Sequence, residues 1–463
     1  MSDLRKNIKR VFSIFALLFV LLLGYFLKFI FIDSQAVVTN ASNPRISVLD
    51  EKIVRGEIKD ANGLTLAYSE SQGDATVRQY VYGPMYAHVV GYADRGKYGA
   101  ESKYNFELQK MHFPLLQRLK NVVSGDDLAG NAIVLTLDHT VQKKAYELLG
   151  SQKGGIVVME PATGKILAMV SYPAFDPNTI NQQFSVLRED ESSPLFNRAA
   201  QGGYPPGSVF KMITTAAGAL FSDVEADFIY HCQGSAVYEN KRIRCFNETA
   251  HGEVDLKRAI ALSCNCYFAE LIYRMGEEPL IAAADRFYFD KSLQYPLEYN
   301  TGSFALAPGA TVSEQIETAI GQGKTLTNPL HMAMAYSAIA NRGFIMKPYL
   351  LDHIEYPGGA PGKRYLPEKL GDALPQSAAE EINGYLVEAV RSGTASPASL
   401  QGIQAAAKTG TAETASGDSH AWFVCYAPAE DPQVLVAAVL ENAGNGSQAV
   451  PIGRQLMETA LAR

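Results

Sequence analysis

The sequence has no surplus of positive charge. Its 463 residues carry a formal net charge of −7, which gives no support to a nucleic-acid binder. It has no internal repeat and no low-complexity tail, so a solenoid or array is excluded. Cysteine is scarce and odd in number: Cys232, Cys245, Cys264, Cys266 and Cys425. At least one thiol is therefore free or pairs elsewhere. Cys232 and Cys245 either close a loop or stay reduced. A zinc site would want a second close pair with neighbouring His or Cys, and neither His231 nor His251 stands at a usable spacing. No Gly-x-Ser-x-Gly elbow surrounds Ser208, and none of the eight histidines lies in a recognisable motif, so a Ser-His-Asp triad has no support. The string GQGKT (321–325) lacks the first glycine of a phosphate loop, since Thr318 stands there.

What the sequence does have begins at the N-terminus. Val11 to Leu27 carries no charge, and Phe29 to Ile32 extends the run past Lys28. As a helix, residues 11–32 reach about 33 Å, enough to cross a bilayer. Residues 1–33 hold five basic against two acidic side chains, which leaves −10 on the remainder. Arg5, Lys6, Lys9 and Arg10 place residues 1–10 in the cytoplasm as a short tail. The apolar run exceeds the roughly 7–15 residues of a signal peptide, and Ser34-Gln35-Ala36 is a weak cleavage site. The reading is an uncleaved single-pass anchor with the rest of the chain outside the membrane.

Residues 40–130 show short mixed patterns and form a first domain, with Asp60-Ala-Asn62-Gly63 as a turn between two short strands. Residues 131–463 form a second. It opens with a strand at 130–138, a helix over HTVQKKAYELL (139–149) and a hairpin, 154–160 with 164–171. Residues 185–194 read as a charged loop, 206 to about 350 as mostly helical, and EYPGGAPGKR (355–364) as a Pro/Gly-rich break before a helix at 377–392. Three strands then close the chain. This is an α+β layout, one sheet assembled from both ends of the domain around a helical block.

Three short motifs carry chemistry. In YPPGSVFKM (204–212) a helix begins at Ser208, and Lys211 falls on the same face. Ser208 alone reads as a helix cap. With Lys211 beside it, it reads as a nucleophile with a base, provided the lysine pKa is lowered to ~7–8. In Ser263-Cys264-Asn265 an extended turn points the two outer side chains into one cleft: Ser263 to relay a proton, Asn265 to hold an amide. In Lys408-Thr409-Gly410-Thr411, Gly410 lets a ligand approach the strand closely. Lys408 supplies a positive charge, and Thr409 and Thr411 supply hydroxyls for a carboxylate. The bland alternative is an edge strand with a protective lysine.

The ordered set Ser-x-x-Lys, Ser-x-Asn and Lys-Thr-Gly resembles that of penicillin-binding proteins and class A β-lactamases, with Cys264 at a position that is usually aspartate. YPPGSVFK, HGEVDLKRAIALSCNCYFAEL, IGQGKTLTNPLHMAMAYSAIANRG and AAKTGTAE resemble the transpeptidase domain of class B penicillin-binding proteins. RGEIKDANGLTLA and YNFEL resemble their N-terminal pedestal, and no glycosyltransferase domain fits between anchor and pedestal. The resemblance implies a mostly antiparallel sheet of about five strands between helical layers. It implies a plasma-membrane D,D-transpeptidase that crosslinks peptidoglycan stem peptides ending in D-Ala-D-Ala through a Ser208 acyl-enzyme, and that β-lactams inhibit. Ser208, Lys211, Ser263 and Lys408 would be catalytic, and Asn265, Thr409, Gly410 and Thr411 would bind substrate. A SEDS-type glycan polymerase would be the partner of anchor and pedestal. No metal or organic cofactor is implied, Cys264 is filler within its motif, and Cys266 is a small buried residue. Two other readings use the same residues: a carboxypeptidase or other penicillin-recognising hydrolase or sensor, and a non-catalytic scaffold of the wall-synthesis complex.

Overall fold

Successive side chains of a strand point to opposite faces. In residues 154–172 and 406–440 both sets are largely apolar, so these strands need cover on both sides. The structure, a computed structural model, describes residues 2–29, 53–72, 75–110, 128–221, 228–414 and 417–463. There the runs form one five-stranded sheet in the order Ala406–Ala412, His420–Ala427, Val434–Leu440, Gly154–Glu160, Lys165–Tyr172. Every neighbouring pair is antiparallel. Trp422, Val424 and Tyr426 enter one core, Phe423, Cys425 and Ala427 the other.

The first core includes the helices Lys211–Phe221 and Pro329–Ala340, the latter buried on every side. The second is covered by His139–Leu149, which presents Val141, Ala145 and Leu149, and by Val450–Leu461, which presents Ile452, Leu456 and Met457. Asp138 caps the first of these two helices by accepting from the Val141 N–H at 3.1 Å. The C-terminal helix corrects the expectation that strands close the chain. A further helix, Ile180–Glu189, occupies part of the expected charged loop; its charged residues are the solvated face of an amphipathic segment.

The pedestal is built around a second sheet, ordered Ala360–Arg364, Leu351–Tyr356, Ala132–Leu135, Ile58–Lys59, Thr65–Gln72, Ala75–Tyr80. Asp60 fixes its first turn by accepting from the N–H groups of Asn62 (2.9 Å) and Leu64 (2.7 Å). Two expectations change here. The strand 132–135, assigned by sequence to the second domain, is central in this sheet. The Pro/Gly-rich break at 355–364 is the tip and second strand of a hairpin that extends it. Pairing across more than two hundred residues leaves no local signal. Of the expected anchor, the helix Ser2–Lys28 is long and apolar enough to cross a membrane, and it takes in the basic residues as well. Residues 30–32, Ser34-Gln35-Ala36, and 40–52 and 111–127 of the expected pedestal lie outside the described residues.

The pedestal encloses a charge cluster. Glu101, fully buried, receives Arg55 Nε at 2.5 Å and Arg78 Nε at 2.7 Å. Burial alone would raise its pKa, but the two guanidinium groups outweigh that and hold it below 4.5. Glu101→Gln strands two buried cations, and we expect it to destabilise the pedestal by roughly 3–5 kcal/mol. Because the folded pKa is depressed, this contribution is present above pH 4.5 and is lost as pH falls through the folded value. The gap between wild type and variant in denaturant melts should therefore be full at pH 7 and narrow progressively as the pH is lowered below 4.5.

Candidate active site

Pro205-Pro206-Gly207 ends the preceding chain. A single 3₁₀ turn, Gly207–Phe210, then leads into the helix Lys211–Phe221. Ser208 thus lies on that tight turn rather than at the start of the α-helix. Hydrogen bonds fix the turn from both sides. Trp422 Nε1 donates to the Pro205 carbonyl at 2.9 Å, and Tyr336 Oη donates to the Val209 carbonyl at 2.8 Å. The Gly207 N–H donates to the Gly321 carbonyl at 2.7 Å.

Gly207 has φ +57°, and a Cβ there would come within 2.5 Å of the Thr411 carbonyl oxygen. Gly321 has φ +75°, and a Cβ there would lie 2.0 Å from the Gly207 carbonyl oxygen. Both need glycine for backbone conformation and for space. The Ser208 turn is therefore held against the strand Ala406–Ala412. GQGKT, whose first glycine is Gly321, serves as this close-packed wall, a role no spacing rule reveals. Gly321→Ala should lower stability by about 2 kcal/mol or more and slow acylation by benzylpenicillin, measured by thermal melting and stopped-flow.

Lys211 is fully buried, and its Nζ reaches three acceptors: the Ser263 carbonyl at 2.9 Å, Ser263 Oγ at 3.3 Å and Asn265 Oδ1 at 2.6 Å. It also lies over the Phe268 ring, 5.4 Å from the centroid. Lys408 is 1% exposed, and its Nζ donates to Ser263 Oγ at 2.9 Å and to the Thr409 carbonyl at 3.0 Å. One hydroxyl thus sits between two lysine nitrogens. Among the described residues, neither nitrogen has a carboxylate within 4.0 Å. Burial pushes the Lys211 pKa down from 10.5 to about 8, opposed by the nearby Cys264, Cys245 and Cys266. Burial, and then repulsion by Lys211, pushes Lys408 well below 10.5.

The middle motif is not an extended turn. The helix Leu256–Ala261, capped by Asp255 accepting from the Arg258 N–H at 2.7 Å, ends just before it. Ser263 then takes a left-handed conformation, φ +56°. Cys264 stands just before the next helix without a side-chain capping bond, and Asn265 is its first residue. A non-glycine residue held there is strained. The strain turns Ser263 Oγ and Asn265 Oδ1 onto the same lysine. The other end of the Asn265 amide donates to the Arg244 carbonyl at 2.7 Å.

The third motif lies on the sheet edge, as the bland reading held, but its lysine points inward to Ser263. Thr409 Oγ1 pairs with Thr394 Oγ1 at 2.7 Å, and Thr411 Oγ1 accepts from the Gly446 N–H at 3.1 Å. The wall residue Gln322 donates to the Thr411 carbonyl at 3.2 Å. His420 heads the neighbouring strand, half-buried, and its Nδ1 accepts from the Asn442 N–H at 3.1 Å.

An antiparallel sheet between helical layers, with Ser-x-x-Lys, Ser-x-Asn and Lys-Thr-Gly drawn together at its edge, is the arrangement of the penicillin-recognising class. Residues 154–458 match the penicillin binding protein transpeptidase domain, and 55–133 match the penicillin binding protein A dimerisation domain. The chain belongs to the penicillin-binding protein transpeptidases, and its relatives are of class B. It is 33% identical over 455 residues to the peptidoglycan D,D-transpeptidase PbpA of Mycolicibacterium smegmatis, covering 90% of this chain and 91% of that one. It is 30% identical to PbpA of Mycobacterium tuberculosis over 97% of each chain. Among solved structures, the ceftriaxone acyl-enzyme of M. tuberculosis penicillin-binding protein A aligns with a TM-score of 0.83 at 30% identity, over 89% of this chain and 100% of that one. A D,D-transpeptidase domain from Eggerthella lenta aligns with a TM-score of 0.81 at 32% identity, over 89% and 99%.

Proposed function

We propose that this protein is a membrane-anchored D,D-transpeptidase that crosslinks peptidoglycan stem peptides by a serine acyl-enzyme route. The observation that carries the reading is the Ser263 hydroxyl between the nitrogens of Lys211 and Lys408, one helical turn from Ser208 along the Lys211 segment. Ser208 Oγ attacks the carbonyl between the two D-alanines of a donor stem. Neutral Lys211 accepts the hydroxyl proton. With two N–H bonds held by the Ser263 carbonyl and Asn265 Oδ1, its lone pair remains for this transfer. The backbone N–H groups of Ser208 and Thr411 hold the oxyanion.

The substrate carboxylate binds Lys408, Thr409 and Thr411, while the missing side chain of Gly410 makes room for the Ser208 turn, since a Cβ there would meet Val209 at 3.0 Å and the Pro206 carbonyl at 3.1 Å. The arriving negative charge favours the protonated form of Lys408, which burial otherwise disfavours. Ser263 passes its proton to the departing D-Ala nitrogen as the C–N bond breaks and takes back from protonated Lys211 the one removed from Ser208, which leaves Lys211 neutral again. An amine from a neighbouring stem then attacks the Ser208 ester, forming the crosslink and freeing the hydroxyl. Asn265 positions Lys211 more than it binds substrate, since both ends of its amide are engaged.

β-Lactams follow the same first step and stay on Ser208. The basic N-terminus lies in the cytoplasm and the catalytic domain outside, with a SEDS-type glycan polymerase contacting anchor and pedestal; co-purification tests that contact. The main test is intact mass of the detergent-solubilised full chain after exposure to benzylpenicillin, with the free antibiotic assayed in parallel. A stable one-to-one adduct supports the reading. Consumption of penicillin without adduct would make the protein a hydrolase, and neither would leave a scaffold.

A further inference from the structure

Four of the five cysteines meet at one point, against the expectation that two are packing residues and that His251 stands at no usable spacing. Cys232 ends the strand Tyr230–Cys232, and Cys245 follows the hairpin strand Lys241–Arg244. His251 precedes the strand Gly252–Val254, which pairs with the strand of Cys232. Cys264 immediately precedes the helix Asn265–Met275. Their exposures are 1%, 3% and 0% for Cys232, Cys245 and Cys264, and His251 is half-buried. The Sγ atoms of Cys232 and Cys245 lie 3.7 Å apart, as do those of Cys245 and Cys264. His251 Nδ1 lies 3.5 Å from Cys232 Sγ. The four ligand atoms all fall within 4.8 Å of one another.

These distances discriminate between chemistries. A disulfide needs sulfurs at ~2.05 Å, and all five thiols are free. A tetrahedral zinc ion with Zn–S of ~2.3 Å and Zn–N of ~2.05 Å sets S···S edges of about 3.8 Å and S···N edges of about 3.5 Å. Three of the six separations, two S···S of 3.7 Å and one S···N of 3.5 Å, are those edges, and the other three lie within 4.8 Å. Three thiolates and one imidazole also form a donor set that selects zinc over magnesium or calcium. The surrounding segment has need of a staple. Its two small sheets pair only three and four residues, Val237 and Phe246 are exposed, and besides Cys232 and Cys245 only Tyr238, Ile243 and Val254 of residues 230–254 enter the core.

We propose that Cys232, Cys245, His251 and Cys264 bind one zinc ion in a closed, structural site. Four protein ligands leave no open position for catalysis. Cys266 Sγ, 3.6 Å from Cys245 Sγ, packs beside the site and is not a ligand. The metal joins the 230–254 ribbon to the loop that carries the middle motif. Cys264 lies between Ser263 and Asn265, and Arg244, whose carbonyl anchors Asn265, adjoins Cys245. The site therefore helps to hold Ser263 in its left-handed conformation. That consequence for catalysis rests on the function proposed above, whereas the metal assignment does not.

The test is metal content of the full chain purified in detergent without chelators, by inductively coupled plasma mass spectrometry, with native thiol titration alongside. One zinc per chain is expected, with Cys232, Cys245 and Cys264 unreactive until a strong chelator removes it. Cys232→Ser and His251→Ala should each lose the metal, while Cys425→Ala and Cys266→Ala keep it. Chelator-stripped protein should acylate with benzylpenicillin more slowly, on the order of tenfold, and recover on adding zinc. Less than a tenth of an equivalent of metal, or a Cys232–Cys245 disulfide in the mass map, would overturn the site. Retention of stoichiometric zinc by both ligand variants would overturn the ligand assignment. A normal zinc content in protein that never acylates would leave the metal site standing and the catalytic reading refuted.

Discussion

Ser208→Ala is expected to remove benzylpenicillin labelling completely while leaving the fold intact. The alanine lacks the only atom that can form the ester, so the loss is absolute rather than graded. The side chain is half-exposed on a turn held by its neighbours' backbone groups: the Pro205 and Val209 carbonyls, bonded by Trp422 and Tyr336, and the Gly207 N–H. None of those bonds involves the hydroxyl, so the melting temperature should move by no more than corresponds to about 0.5 kcal/mol. The readout is intact mass of wild type and variant side by side, with peptide mapping of the wild-type adduct. Label persisting in the variant, on Ser263 for example, would defeat the assignment of the nucleophile.

Lys211→Met should reduce the acylation rate by roughly 10²–10⁴, the usual contribution of a positioned general base. Methionine preserves much of the length and the apolar stem but supplies no lone pair for the proton. The pH dependence gives a second readout. Only the neutral amine accepts a proton, and burial lowers the Lys211 pKa to about 8. The wild-type rate should therefore climb through pH 7 and level off above about 8. Burial lowers that midpoint, the nearby sulfurs of Cys264, Cys245 and Cys266 oppose the shift, and Lys408 is the neighbouring amine. The variant should lose the climb. A variant that acylates within tenfold of wild type, on an unchanged profile, would remove Lys211 from the base role. Some stability loss accompanies the change, because the Ser263 carbonyl and Asn265 Oδ1 lose a donor.

Much of this was readable from short stretches of chain. The hairpin Gly154–Glu160 with Lys165–Tyr172, the helices His139–Leu149 and Gln376–Ser392 and the strands His420–Ala427 and Val434–Leu440 follow from local periodicity and turn residues. So does the apolar N-terminal helix. What periodicity missed was non-local or mixed in signal. Residues 355–364 read as a Pro/Gly-rich break because the strand that holds their hairpin in the sheet, Ala132–Leu135, lies more than two hundred residues away. The C-terminal helix has one apolar face and a proline in its first turn, so its sequence looks neither strongly helical nor buried.

The sequence by itself determined which groups the proposed site contains. Ser208 with Lys211, Ser263 with Asn265, and Lys408 with Thr409, Gly410 and Thr411 are each fixed by spacings of two or three residues, which chain geometry converts directly into proximity. The tertiary structure alone decided how the three sets meet. Ser263 Oγ lies between two lysine nitrogens, one 52 and one 145 positions away in the chain. Gly207 and Gly321 touch because neither carries a Cβ. Cys232, Cys245, His251 and Cys264 converge although no metal spacing is visible along the chain. The reason is the same in all three cases. Distances between segments far apart in sequence are set by how whole layers pack, and layer packing is a property of the entire core rather than of any motif.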